Sequence, residues 1–154
     1  MPMTLEQLKN QLSAIEPDVG MYAEIGPTDI PNLQLLLKDR EAWMAARAVF
    51  ALSRIPDATA LTVLSRAAAD PRQEVRVAVA ASVMNLKPSD ANPLLLKLIA
   101  DSELGVRKFA VQSVSRAHDA SVHAKVREVE ARDASPPIRE IAKSKIQELR
   151  LNER

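Results

Sequence analysis

The sequence predicts an all-α chain folded as an α-solenoid of about four stacked helix pairs behind an N-terminal capping helix. Three observations predict it: a motif that returns every 31 or 32 residues, apolar stripes at helical spacing, and a composition that disfavours sheets. Only three glycines occur (Gly20, Gly26 and Gly105), aromatics make up 3% of the chain, and alanine, leucine and valine carry most of the apolar content. Scarce glycine and plentiful alanine suit helices that pack closely, not strands joined by tight turns.

The repeat is read directly. Asp70-Pro-Arg-Gln-Glu-Val75-Arg76 is echoed by Asp101-Ser-Glu-Leu-Gly-Val106-Arg107, and again by Asp133-Ala-Ser-Pro-Pro-Ile138-Arg139. Counting back from Asp70 by 31 gives Asp39, the head of a weaker copy in which Ala45 stands in the arginine position and Arg47 stands where Ala78, Phe109 and Ile141 follow. Periods of this length mark stacked units, each too small to bury its own apolar face.

Each unit holds two helices. The first helices are expected over Asp29–Lys38, Asp57–Ala69, Ser89–Ala100 and Asp119–Arg132, opened by Asp, Ser or Thr and by prolines that a first turn tolerates. The second helices begin after each repeated aspartate. They carry the stripes Met44-Ala48-Leu52-Ile55, Val75-Val79-Val83-Leu86, Val106-Ala110-Val114-Ala117 and Ile138-Ala142-Ile146-Leu149. The predicted layout is an N-terminal helix with a degenerate capping repeat over 1–27. Repeats follow at 28–55, 56–86, 87–117 and 118–149, within a repeat region of 28–151, and a frayed terminus at 152–154.

The Asp-x-x-x-x-Val-Arg-x-x-Ala-like pattern resembles HEAT repeats, particularly the subclass similar to the phycobilin-lyase type, from about Asp29 to Leu149. The resemblance implies a right-handed superhelix. It also implies a scaffold, adaptor or transport role and no enzyme activity, with a chaperone-like subunit of the phycobilin-lyase kind as an alternative. Asp70, Asp101 and Asp133 with Arg76, Arg107 and Arg139 match positions that form a structural ladder between neighbouring repeats in such proteins. A planar, permanently charged guanidinium suits that shared bonding. A phosphate-binding track is the rival use of the same charges.

Thr4–Ile15 reads as an amphipathic helix with Leu5, Leu8, Leu12 and Ile15 on one face, followed by a short helix around Met21–Ile25. The segment either caps the stack or forms a mobile arm.

Composition narrows function. A chain of 154 residues suits one domain and needs no covalent staple, and the absence of cysteine excludes disulfides and thiolate-held metals. No secretory signal, no membrane insertion and a cytoplasmic location are expected. A net charge of +1 gives no bulk attraction to nucleic acid or anionic lipid. The C-terminal half is the more basic, yet Glu128, Glu130, Asp133, Glu140 and Glu148 interrupt it, and base-stacking aromatics are missing apart from Phe109, which falls in a core position. Nucleic-acid binding is therefore disfavoured, though some DNA-repair glycosylases share the fold.

No glycine-rich phosphate loop and no evident acid–base pair are present, so neither catalytic residues nor a cofactor is expected. His118 and His123 are five apart, not the four that would set both rings on one helical face for a metal. They are expected to be loop and surface residues.

The candidate site is a groove. In HEAT-like stacks the second helices line the concave side, and Ala46, Val49, Phe50, Val77, Ala80, Ala81, Met84 and Val111 lie outside the core stripe of those helices. The equivalent positions in the last repeat are polar: Glu140, Lys143, Ser144 and Gln147. The expected partner is another protein, with a homo-oligomer left open, bound at the apolar end of the groove. The competing reading has the N-terminal helix, or Met21, Tyr22 and Ile25, folded over these residues as core. Trp43 is expected to pack between helices, with an exposed anchor as its alternative.

Overall fold

The structure, a computed structural model, describes residues 2–13 and 19–151. Among them the regular structure is helical: α1 (Leu5–Leu12), α2 (Val19–Tyr22), α3 (Ile30–Leu36), α4 (Ala42–Ser53), α5 (Ala58–Ala67) and α6 (Gln73–Ser82). There follow α7 (Pro88–Leu98), α8 (Leu104–Gln112), α9 (Ala120–Arg132) and α10 (Pro136–Leu151). The pairs are α3 with α4, α5 with α6, α7 with α8 and α9 with α10. The second helices form one layer, α4 on α6, α6 on α8 and α8 on α10.

The apolar stripes face the core. Met44, Ala48, Leu52, Val75, Val79, Val83, Val106, Ala110, Ile138 and Ala142 are all buried, as are Leu33, Leu64, Leu95, Leu98 and Val126 from the first helices. Two stripe residues depart from expectation. Leu86 is only half-buried and Ala117 is exposed, because α-helical geometry ends sooner than the stripes do. A short 3₁₀ turn over Val83–Asn85 closes α6. The α8 helix stops at Gln112, where the Ser113 hydroxyl lies 2.8 Å from both the Phe109 carbonyl and the Ala80 carbonyl of α6.

The N-terminal helix starts where its capping residues predict. Thr4 Oγ1 accepts from the Gln7 amide (3.1 Å) and the Gln7 side chain accepts from the Thr4 amide (2.9 Å). Leu8 and Leu12 are buried, whereas Leu5 lies exposed in the first turn, and Ile15 falls outside the described residues. The following helix runs from Val19 to Tyr22, earlier than the expected Met21–Ile25. Residues 152–154, expected to fray, also lie outside the described residues. The buried Asp29 carboxylate accepts from the amides of Met3 (2.7 Å) and Gly26 (2.9 Å), and α1 lies against α3 and α4.

The loop edge of the stack is organised by the repeated aspartates. Each accepts from the amide two residues on, Asp39 from Glu41, Asp70 from Arg72, Asp101 from Glu103 and Asp133 from Ser135, every bond 2.9 Å. That turn launches each second helix. Arg76 then reaches forward to hold both oxygens of Asp101 (2.9 and 3.1 Å) while its Nη1 donates to the carbonyls of Asp70 and Pro71. Arg107 repeats this on Asp133 (2.8 and 3.1 Å), with Nη1 on the carbonyls of Asp101 and Ser102. Arg139, on the last helix, donates to the Asp133 carbonyl (2.6 Å).

Ala45 cannot make this bond in the weak first copy. Arg72 makes it from the other side: it pairs with Asp70 (3.1 Å) and donates to the carbonyls of Asp39 (2.7 Å) and Leu37 (2.5 Å). The series is extended into α1 by Lys9, whose ammonium lies 3.0 Å from Asp39.

Burial pushes the carboxyls of Asp101 and Asp133 up, but their arginine partners and the turn amides outweigh it and hold both below the ordinary range. In the folded state these groups bind fewer protons than in the unfolded chain. Their contribution is complete above the unfolded value of about 3.9 and is lost as pH falls through the depressed one. Urea unfolding should therefore show stability dropping as pH falls below about 4, and a shallower drop in Asp101→Asn. At neutral pH that substitution should cost about 1–3 kcal/mol, the worth of hydrogen bonds to a charged group. Arg72→Ala should lower the urea midpoint comparably to Arg107→Ala, whereas an unchanged midpoint would mean that apolar contacts alone hold the first junction.

Candidate functional site

The layer of second helices has an outward side, opposite the side that carries the core stripe. On α4 the residues there are Trp43, Ala46, Arg47 and Phe50, and on α6 they are Val77, Ala78 and Ala81, with Met84 in the 3₁₀ turn that closes it. On α8 they include Leu104, Lys108 and Phe109. Among the described residues, four large apolar side chains on this layer stand open to solvent: Met84 at 68% exposure, Trp43 at 48%, Leu104 at 46% and Phe109 at 38%. They span three successive repeats, which a scatter of single surface residues does not require.

The expected groove residues divide into two groups. Ala46, Phe50, Val77 and Ala81 are half-buried and Met84 is exposed. Val49, Ala80 and Val111 are fully buried and belong to the core, a correction to their expected exposure. The reason is their register. The same position on α10 is Lys143, which is exposed. No described helix follows α10, so this side of each second helix faces the next repeat, and in α4, α6 and α8 that neighbour covers it.

Two further placements differ from expectation, and Leu104 carried no expectation. Trp43 does not pack between helices. The turn at Asp39 leaves its ring on the outward side, with the Arg47 guanidinium 5.1 Å from its centroid. Phe109, read from sequence as core, shares the outward register of Ala78 and Ile141, which are half-buried, and its ring extends further into solvent, to 38% exposure. It lies on the surface with the Lys108 ammonium 5.7 Å from its ring. Leu104 escaped notice because it precedes the stripe of α8, although its position outside that stripe was legible.

The N-terminal segment covers one end of this face and leaves the rest. Tyr22 meets Phe50 edge-on, with ring centroids 4.7 Å apart at 61°, and Ile25 is buried nearby. Arg47 donates to the Leu12 carbonyl, tying α1 to the same corner. The Met21 side chain lies outside the described residues. Met84, Leu104 and Phe109 have no such cover. At the far end the face turns polar, in a cleft of about 510 Å³ lined by Gln112, Glu140, Ile141, Ser144, Lys145 and Glu148. In the middle α8 packs on α6 at Gly105, where a Cβ would meet a Val77 methyl at 3.9 Å, an ordinary van der Waals contact, so the approach does not depend on glycine.

A model of HEAT repeats matches residues 30–115, the span from the start of α3 to just beyond α8. No curated protein matches the chain.

The histidines are structural, and His118 is not a surface residue. It is buried at 8% exposure, its Nδ1 accepting from the Ser115 amide (2.9 Å), while His123 Nε2 donates to the Ser115 carbonyl (2.9 Å). Both rings thus close the loop between α8 and α9, and the Asp119 amide at its end donates to Asn92 Oδ1 on α7 (3.0 Å). Burial pushes the His118 pKa down, His123 and Lys145 add to this, and Asp119 opposes it. A neutral ring is also what the accepting Nδ1 requires. The folded state then binds fewer protons than the unfolded chain. The contribution of His118 is complete above about pH 6.5 and is lost as pH falls through the lowered value. The urea midpoint of the wild type should fall between pH 7 and about 5, and His118→Gln should remove most of that slope. An unchanged slope would place the titration elsewhere.

Proposed function

The chain belongs to the HEAT-repeat family, and from that premise we propose that it is a non-enzymatic adaptor that binds a partner protein through the outward face of α4, α6 and α8. In this proposal the pairs stack as a right-handed superhelix, the face is its concave side, and the protein works in the cytoplasm. HEAT repeats commonly serve as protein–protein interaction scaffolds and are generally non-enzymatic. The single observation behind the reading is the row of uncovered apolar side chains, Trp43, Met84, Leu104 and Phe109, on successive repeats.

Magnitudes favour a macromolecular partner. Each of these side chains is already partly covered, so completing its burial contributes about 1 kcal/mol, a fraction of the full value for such residues. Several must be covered at once to offset the entropy of association. A surface spanning three helices meets that need with a protein segment and not with a small molecule.

Affinity capture with quantitative mass spectrometry from the native host tests this, comparing wild type with Met84→Glu/Phe109→Glu. Both side chains are exposed, so the variant should keep its circular dichroism spectrum. A protein enriched by the wild type and lost from the folded variant is the expected result. Identical captures by the two proteins would remove the face from consideration.

A further inference from the structure

Building on this face as a docking site, we propose that its occupant is an acidic amphipathic helix of about three turns, laid along α6 between α4 and α8. The distribution of charge carries the proposal. The middle of the face is uncharged, with Val77, Ala78 and Ala81 on α6 and Met84 in the turn that closes it, spaced three and four residues apart. Its two borders are basic. On one side stand Arg47, over the Trp43 ring, and Arg54, the residue that follows the last turn of α4; on the other stands Lys108, over the Phe109 ring. Among the described residues neither Arg54 nor Lys108 has a carboxylate within ion-pair distance.

The dimensions fit a helix. Packed helices lie about 8–10 Å apart, so α4 and α8 flank α6 at roughly 16–20 Å from one another. A helix with its side chains is about 10–12 Å across and fills that interval, bringing carboxylates on its two flanks to the two basic borders. Its apolar residues at i, i+4 and i+7 meet Val77, Ala81 and Met84 in the same periodicity. The stretch from Gln73 to Asn85 offers about 20 Å of length, or a little over three turns.

The surroundings narrow the choice further. Glu140 and Glu148 on α10 are exposed and would repel acidic flanks, which keeps the occupant on the α4–α8 side of the polar end. Glu74 lies in the first turn of α6 and meets one end of the occupant only.

The test uses the full-length protein and two synthetic helical peptides of about twelve residues. Both carry leucines at i, i+4 and i+7; one has glutamate flanks and the other lysine flanks. Trp43 is the sole tryptophan, so its fluorescence reports occupancy at the border of the site. The acidic peptide should bind saturably and at least tenfold more tightly than the basic one, and should weaken as salt is raised. Lys108→Glu should reduce its affinity about tenfold and Met84→Glu should abolish it. Equal or tighter binding of the basic peptide, abolished by Met84→Glu, would overturn the acidic occupant while leaving the docking face intact. Acidic-peptide binding that is indifferent to Met84→Glu would overturn both. Failure of both peptides to saturate overturns the helical occupant alone, because capture of a folded partner reports separately on the face. A single-stranded oligonucleotide of about twelve nucleotides that binds more tightly than the acidic peptide would also overturn it.

Discussion

The carboxylate at the head of each second helix is the constraint on which the other features depend. At Asp101 and Asp133 one group does two jobs: its oxygen caps the turn that starts the helix, and it receives the guanidinium of the preceding repeat. Helix start and repeat spacing are thereby fixed by the same atoms. Apolar stripes alone allow neighbouring helices to slide by a turn, since one buried Val resembles the next. A slide would separate Arg76 from Asp101 and leave both nearly buried groups without a partner, which costs more than the intact pair contributes. The ladder is thus a device for register first and a source of net stability second.

The substitution of Arg72 for the absent arginine at position 45 shows how strongly the arrangement is required. The chemistry at the first junction is the same as elsewhere, a guanidinium shared between a carboxylate and the carbonyls of the neighbouring loop, but it approaches from the opposite repeat. The exchange leaves Ala45 small and fully buried. It also extends the ladder to the N-terminal helix, where Lys9 takes Asp39. Cohesion lies with the loop edge and the stripe, and on the outward side of α6 and α8 the half-buried Val77 and Ala78 also pack on the core. There the sequence retains Met84, Leu104 and Phe109, which stability alone does not call for.

Helix pairs, repeat spacing and core stripes were legible in the sequence because each is a local periodic signal repeated several times. The match of residues 30–115 to HEAT repeats agrees with that part of the reading. What was not legible depends on neighbours in space. Val49 and Ala80 lie off the core stripe, and only the presence of the next helix buries them. Phe109 shares a register with Ala78 and Ile141, which lies on the outward side of the second helices, so its ring stands partly in solvent. His118 looked like a loop residue, and it is one; its burial follows from the way the loop folds back onto the ring and α7. Arg72 belonged to no repeated position, so nothing in the pattern marked it.

Site-specific photo-crosslinking in cells of the native host tests the account most directly, with a photoreactive amino acid placed at position 84 on the outward face or at position 66 on α5. Both Met84 and Arg66 are exposed, so either replacement should leave the fold intact. A discrete protein adduct from position 84 and none from position 66 is the result the account predicts. An adduct from position 66 alone, or the same adduct from both, would contradict it.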